Sequence, residues 1–140
     1  MRYWDASALV PLVVAEETSL AWRRAAADDM IVTWCLSAIE IASAVERRAR
    51  EGALDASGRS EALANLTQLA QAWSEVTAVP AVRDRAYRLL GTHALRAADS
   101  LQLAAALVAV SDRPSGHDFL STDARLRHAA SREGFRVVSF

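Results

Sequence analysis

An α/β sandwich built around a mainly parallel sheet is the fold this sequence predicts, and two observations predict it. Five short segments rich in β-branched and aromatic residues are spaced along the chain, and the stretches between them are long and periodic enough to be helices. Parallel neighbours require such crossovers, whereas antiparallel neighbours are joined by tight turns. The 140 residues, 52% hydrophobic and 24% charged, have the size of one domain with one core, and the composition excludes global disorder. Residues 1–140 are therefore read as a single domain.

The elements follow in order. RYWD (2–5) is a short strand ending in an acid, after which ASALVPLVVAEE turns helical with Ser7 as a candidate N-cap. SLAWRRAAAD is a helix opened by Thr18 or Ser19 and closed by Asp28 and Asp29. MIVTW (30–34) is the second strand, and LSAIEIASAVERRARE is a helix stopped by Gly52. A helix over about 58–73 precedes EVTAVP (75–80), the third strand, and helices follow at about 81–91 and 95–110. DFLST is the fourth strand, DARLRHAASRE a helix stopped by Gly134, and FRVVSF the last strand.

Several kinds of chemistry are excluded. The one cysteine, Cys35, has no partner for an intramolecular disulfide, and three scattered histidines (His93, His117, His128) form no zinc-binding pattern. All 16 basic residues are arginine, so a P-loop lysine and a Schiff-base lysine are both absent. A net charge of −1 does not suggest bulk electrostatic attraction to nucleic acid. The longest apolar runs, such as LQLAAALVAV, fall short of the roughly 18 residues of a membrane span, and no basic-then-apolar leader opens the chain, so the expected location is the cytoplasm.

In open parallel sheets ligands gather beyond the carboxyl ends of the strands, so acids at strand ends and helix starts come first. Asp5 closes the first strand, where it is either a ligand-facing carboxylate or a turn or cap residue. Glu40 follows Ser37 by three positions, the spacing of a capping box as well as of a functional acid. Asp99 lies in LRAADSLQLAAAL, a helix apolar on nearly every side, which predicts a buried carboxylate. Burial without a partner costs several kcal/mol, so either a metal ion or Arg96 must compensate it. Asp123 sits where a strand passes into a helix, and Ser121, Thr122 or Asp123 itself is able to cap that helix. Clustered acids repel unless a cation holds them, and hard oxygen ligands select Mg²⁺ or Mn²⁺.

Four blocks carry a family resemblance over nearly the whole chain. YWDASALVPLVVAEETS, WCLSAIEIASAVERR, THALRAADSLQLAAAL and DFLSTDARLRHAASREGFRVV, in that order, resemble those of a PIN-domain ribonuclease of the VapC type, the toxin of a toxin–antitoxin pair. The third block is the most specific, although Gln102 stands where a histidine is frequent, and Trp4 and Trp34 are bulkier than the aliphatics usual in those strands. The resemblance implies a three-layer α/β/α sandwich with a five-stranded parallel sheet. It implies Asp5, Glu40, Asp99 and Asp123 as the catalytic, metal-holding acids, with Ser7 and Thr122 supporting them. It further implies an RNA substrate, Mg²⁺ or Mn²⁺ as cofactor, a cognate antitoxin covering the acidic pocket, and a homodimer.

Arg47, seven positions after Glu40 and so on its helix face, and Arg96 are expected phosphate contacts, against the alternative of a solvated charged face. His93 precedes the Asp99 helix and is either structural or a substrate contact, while Trp22 and Trp73 are expected in the core or at a dimer surface. The expected activity is metal-dependent endoribonucleolysis. The alternatives are a PIN-like module that binds RNA or protein without cutting, and an acid-dependent phosphatase; Asp5-Ala6-Ser7 lacks the second acid of the D-x-D pair the latter uses.

Overall fold

The protein is described over residues 1–140 by a computed structural model. Five strands, β1 (Arg2–Trp4), β2 (Ile31–Trp34), β3 (Ser74–Val76), β4 (Asp118–Leu120) and β5 (Arg136–Val138), form one sheet in the order β3-β2-β1-β4-β5. Every pairing is parallel, with Tyr3 opposite Val32 on one side and Phe119 on the other. Seven helices supply the crossovers: α1 (Ala6–Val13), α2 (Ser19–Ala27), α3 (Ser37–Arg50), α4 (Ala56–Ala70), α5 (Val79–Thr92), α6 (Ala97–Ala109) and α7 (Ala124–Glu133).

Alternation along the central strand divides the core in two. Tyr3 is buried with Phe119 among side chains of α5, α6 and α7, and Trp4 is buried on the other face with Trp22 and residues of α1, α3 and α4. Tyr3 stacks on Phe119 at 5.4 Å, and Trp22 meets Trp4 edge-on at 5.8 Å. Trp22 and Trp73 both belong to this interior.

Several elements differ from the sequence expectation for local reasons. β3 ends at Val76, because Pro80 enters the first turn of α5, where its missing N–H costs nothing. α4 begins two residues earlier than expected, where the Asp55 carboxylate accepts from the Gly58 N–H (2.7 Å). Asp5, not Ser7, caps α1. Gly134 ends α7 with φ of 106°, a left-handed value that suits glycine.

The chain steps from β1 outward through β2 to β3, then crosses back to place β4 on the other flank of β1. The strand order therefore reverses between β1 and β4, and a crevice opens at that point beyond their carboxyl ends. Asp5 leaves β1 there, its N–H bonded to the Leu120 carbonyl (3.0 Å).

Candidate active site

The acids of the two sheet ends live in opposite electrostatic conditions. At the amino end, Asp118 is paired with Arg136 and Arg2, and the Arg136 guanidinium holds its carboxyl below the usual range. Elsewhere Asp29, Glu46, Asp112 and Glu133 are paired with arginines, as is Glu16 in the outer wall of the carboxyl-end cleft. At the carboxyl end, none of Asp5, Glu40, Asp99 and Asp123 forms an ion pair.

Asp5 is 3% exposed. Its Oδ2 accepts from the Ser7 hydroxyl, the Ser7 N–H (3.3 Å) and the Ser121 hydroxyl (2.8 Å), while Oδ1 receives no hydrogen bond from the protein. Burial pushes this carboxyl up to about 6; the serine hydrogen bonds oppose the rise and the charge of Asp99 adds to it. The two hydroxyls are themselves fixed, because Ser7 Oγ accepts from the Thr122 N–H (3.0 Å) and Ser121 Oγ from the Asp123 N–H (3.0 Å).

Glu40 stands in the first turn of α3, half-buried. The capping-box expectation fails here: Leu36 is the N-cap, and the Ser37 hydroxyl turns inward to Thr33 (2.7 Å). Glu40 Oε1 instead accepts from Gln102 Nε2 (2.9 Å), a bond that reaches from α6 to α3 over the edge of the sheet. Burial pushes the Glu40 carboxyl up to about 7, opposed by the Gln102 bond and reinforced by the charges of Asp5 and Asp99.

Gln102 is 1% exposed and fully satisfied. Its Oε1 accepts from the Tyr3 hydroxyl (2.7 Å), and its amide hydrogens go to Glu40 and to Ser37 Oγ (2.9 Å). The Thr33 hydroxyl donates to the Trp4 carbonyl (2.7 Å), so Ser37 donates to Thr33 and the whole chain of donors has one direction. Sequence reasoning noted Gln102 as a departure and missed this role. It also missed Ser121, which is fully buried and holds Asp5, whereas the Thr122 side chain is exposed and only its backbone N–H takes part.

The expectation of a buried Asp99 is corrected. α6 starts at Ala97, so Asp99 lies in its first turn, half-buried, while the fully enclosed part of the helix is the run Leu103–Leu107. Its Oδ2 accepts from the Arg96 N–H (3.2 Å); the Arg96 guanidinium makes no ion pair with it, so that compensation is absent. Asp123 is exposed and caps α7 through Oδ1 to the Leu126 N–H (2.8 Å). It connects to Asp5 through Ser121, while the charge of Asp99 raises both Asp5 and Glu40 and that of Asp5 raises Glu40.

In each of the four acids one oxygen is tied down and the other is left without a protein donor. This donor set, hard and uncompensated, fits a divalent cation. No three acidic, histidine or cysteine side chains close around a single point. Beside the acids lies a cleft of about 600 Å³ lined by Ser7, Glu40 and Thr122 and, further out, by Arg47, Arg48 and Arg127. Arg48 is paired with Glu16 (2.6 Å), and Arg47 is exposed without an ion-pair partner.

Fold and site together define a parallel α/β protein with an acidic centre beside a basic cleft. The chain belongs to the PIN domain family, which matches residues 2–138, and PIN domains are generally nucleases. No curated protein matches the chain. No helix is long and apolar enough to cross a membrane.

The placement of Glu40 makes a prediction. Glu40→Gln keeps the shape and removes the charge. Cleavage is expected to fall by at least about tenfold, within the range for groups supporting a metal, and the melting temperature to hold or rise slightly. Wild-type rates across a Mn²⁺ titration would reduce the centre to the remaining acids.

Proposed function

We propose that this PIN domain is a divalent-metal-dependent endoribonuclease, and that it acts in the cytoplasm as the homodimeric toxin of a toxin–antitoxin pair. The observation that carries the activity is the set of carboxylates beside the strand-order reversal, Asp5 buried and Glu40 and Asp99 half-buried, each with one oxygen held and one free. Asp5, Glu40 and Asp99 would hold Mg²⁺ or Mn²⁺, directly or through water, with Asp123 at the rim. Such an ion supplies a water of lowered pKa and neutralises charge on the leaving oxygen.

The chain's own residues do the rest. Ser7 and Ser121 keep the Asp5 carboxylate from turning, and Gln102 does the same for Glu40. Arg47 and Arg127 offer positive charge along the cleft to the RNA backbone, and Arg96 stands exposed beside Asp99. The toxin role and the antitoxin partner follow from the resemblance of the four sequence blocks.

The test is incubation of purified protein with an RNA pool. Cleavage is expected with Mn²⁺ or Mg²⁺ and none after chelation; no cleavage with either ion would overturn the reading. Millimolar Mn²⁺ is also expected to raise the melting temperature, because a ligand that binds only the folded state stabilises it. An equal rise in an Asp5→Ala, Asp99→Ala double variant would place the ion elsewhere.

A further inference from the structure

α7 carries arginines on two faces. Arg127 faces the cleft of the acidic centre, where its Nη1 donates to the Ser121 carbonyl (3.2 Å). Arg125 precedes it by two positions, a turn of about 200°, and faces the other way. His128 and Arg132 follow Arg125 at spacings of three and seven and share its face. Together with the segment Thr92–Leu95 they line a second cavity of about 260 Å³.

The charge in this cavity is not neutralised by the protein. Arg125 and Arg132 are exposed and make no ion pair. Glu133, the acid nearest in sequence, is already occupied by Arg88 (2.8 Å) and His93 (2.7 Å). His93 is thus anchored in the wall, which is the structural of the two alternatives open for it in the sequence.

The position matters as much as the charge. The stretch Thr122–Arg125 runs from the rim of the acidic cleft to the rim of this cavity, with Asp123 between. On the opposite wall, Leu95 leads through Arg96 directly to Asp99. Short chain segments therefore connect Asp123 to both basic hollows and Asp99 to the second, the first bearing Arg47 and Arg127 and the second Arg125 and Arg132. An enzyme that cuts within a strand gains by holding backbone on both sides of the scissile bond.

We propose that the cavity between α7 and the Thr92–Leu95 segment is a phosphate-binding subsite for the RNA strand. The strand lies across the acids with its backbone held on both sides. This rests on the ribonuclease reading above.

The test is the salt dependence of RNA cleavage in Mn²⁺. Removing two phosphate contacts from a single strand lowers the slope of log(kcat/KM) against log[salt] by about 1.4. The Arg125→Ala, Arg132→Ala variant is expected to show that change together with a KM raised about tenfold and an unaltered thermal melt. Arg125→Lys, Arg132→Lys should restore the slope, since a point charge neutralises phosphate as a guanidinium does. Wild-type KM and slope in the alanine variant would overturn the subsite and leave the ribonuclease reading standing. Wild-type protein that cuts no RNA would remove both.

Discussion

Asparagine in place of Asp5 is expected to abolish RNA cleavage, with a loss of about 100-fold or more, the upper end for groups around a catalytic metal. The protein should remain folded. The amide oxygen still accepts from Ser7 and Ser121, so the cap of α1 and the link to β4 survive, while the charge that a cation needs is gone. Stability should move in the other direction. The Asp5 carboxyl is raised to about 6 and Glu40 to about 7, so the folded protein keeps these protons where the unfolded chain has released them. Between about pH 4 and about pH 7 the metal-free fold binds more protons than the unfolded chain and loses stability as pH rises. Asp5→Asn removes its share of that decline. Melting curves across this range in chelator, paired with cleavage assays in Mn²⁺, test both halves; full cleavage by the variant would exclude Asp5 from the centre.

Gln102→Leu is expected to cost about 2–4 kcal/mol, the penalty for stranding buried polar groups. Leucine matches the volume but offers nothing to the Tyr3 hydroxyl, which is fully buried, and withdraws a donor from both Ser37 and Glu40. Cleavage should fall too, because Glu40 then swings free. A Tyr3→Phe change removes the stranded hydroxyl, so the double variant should lose less than the sum of the single losses. Urea denaturation with an unchanged m-value measures this; additive losses would mean that Tyr3 and Gln102 act independently.

The fold was legible because the strands are short and mostly β-branched or aromatic, and every strand but the last is followed by a helix. Asp5 and Glu40 were legible as acids at a strand end and a helix start; Asp5 leaves β1 at the reversal of strand order, and Glu40 on α3 lines the same cleft as Ser7 and Thr122. What supports them was not. Ser121 and Thr122 are equivalent in composition, and only the end of β4 at Leu120 decides which hydroxyl turns inward. Gln102 sits in an apolar helix where spacing says nothing about a partner on another layer. The depth of Asp99 was not legible, because the apolar run that follows it continues its pattern without marking where the enclosed part of the helix starts. The helix begins two residues before Asp99, and a first turn is open to solvent at its end.

The Asp5 to Ser121 bond joins positions 116 residues apart, and β1 has its two neighbours at opposite ends of the remaining chain. During synthesis the ribosome releases Asp5, Ser7 and Glu40 early, but β4 only near the end. Until then β1 is a bare edge on one side, Asp5 lacks one of its two serine anchors, and the wall that carries Arg127 does not exist. Chains that end before β4 therefore lack Ser121 and Asp123 and cannot assemble the complete centre.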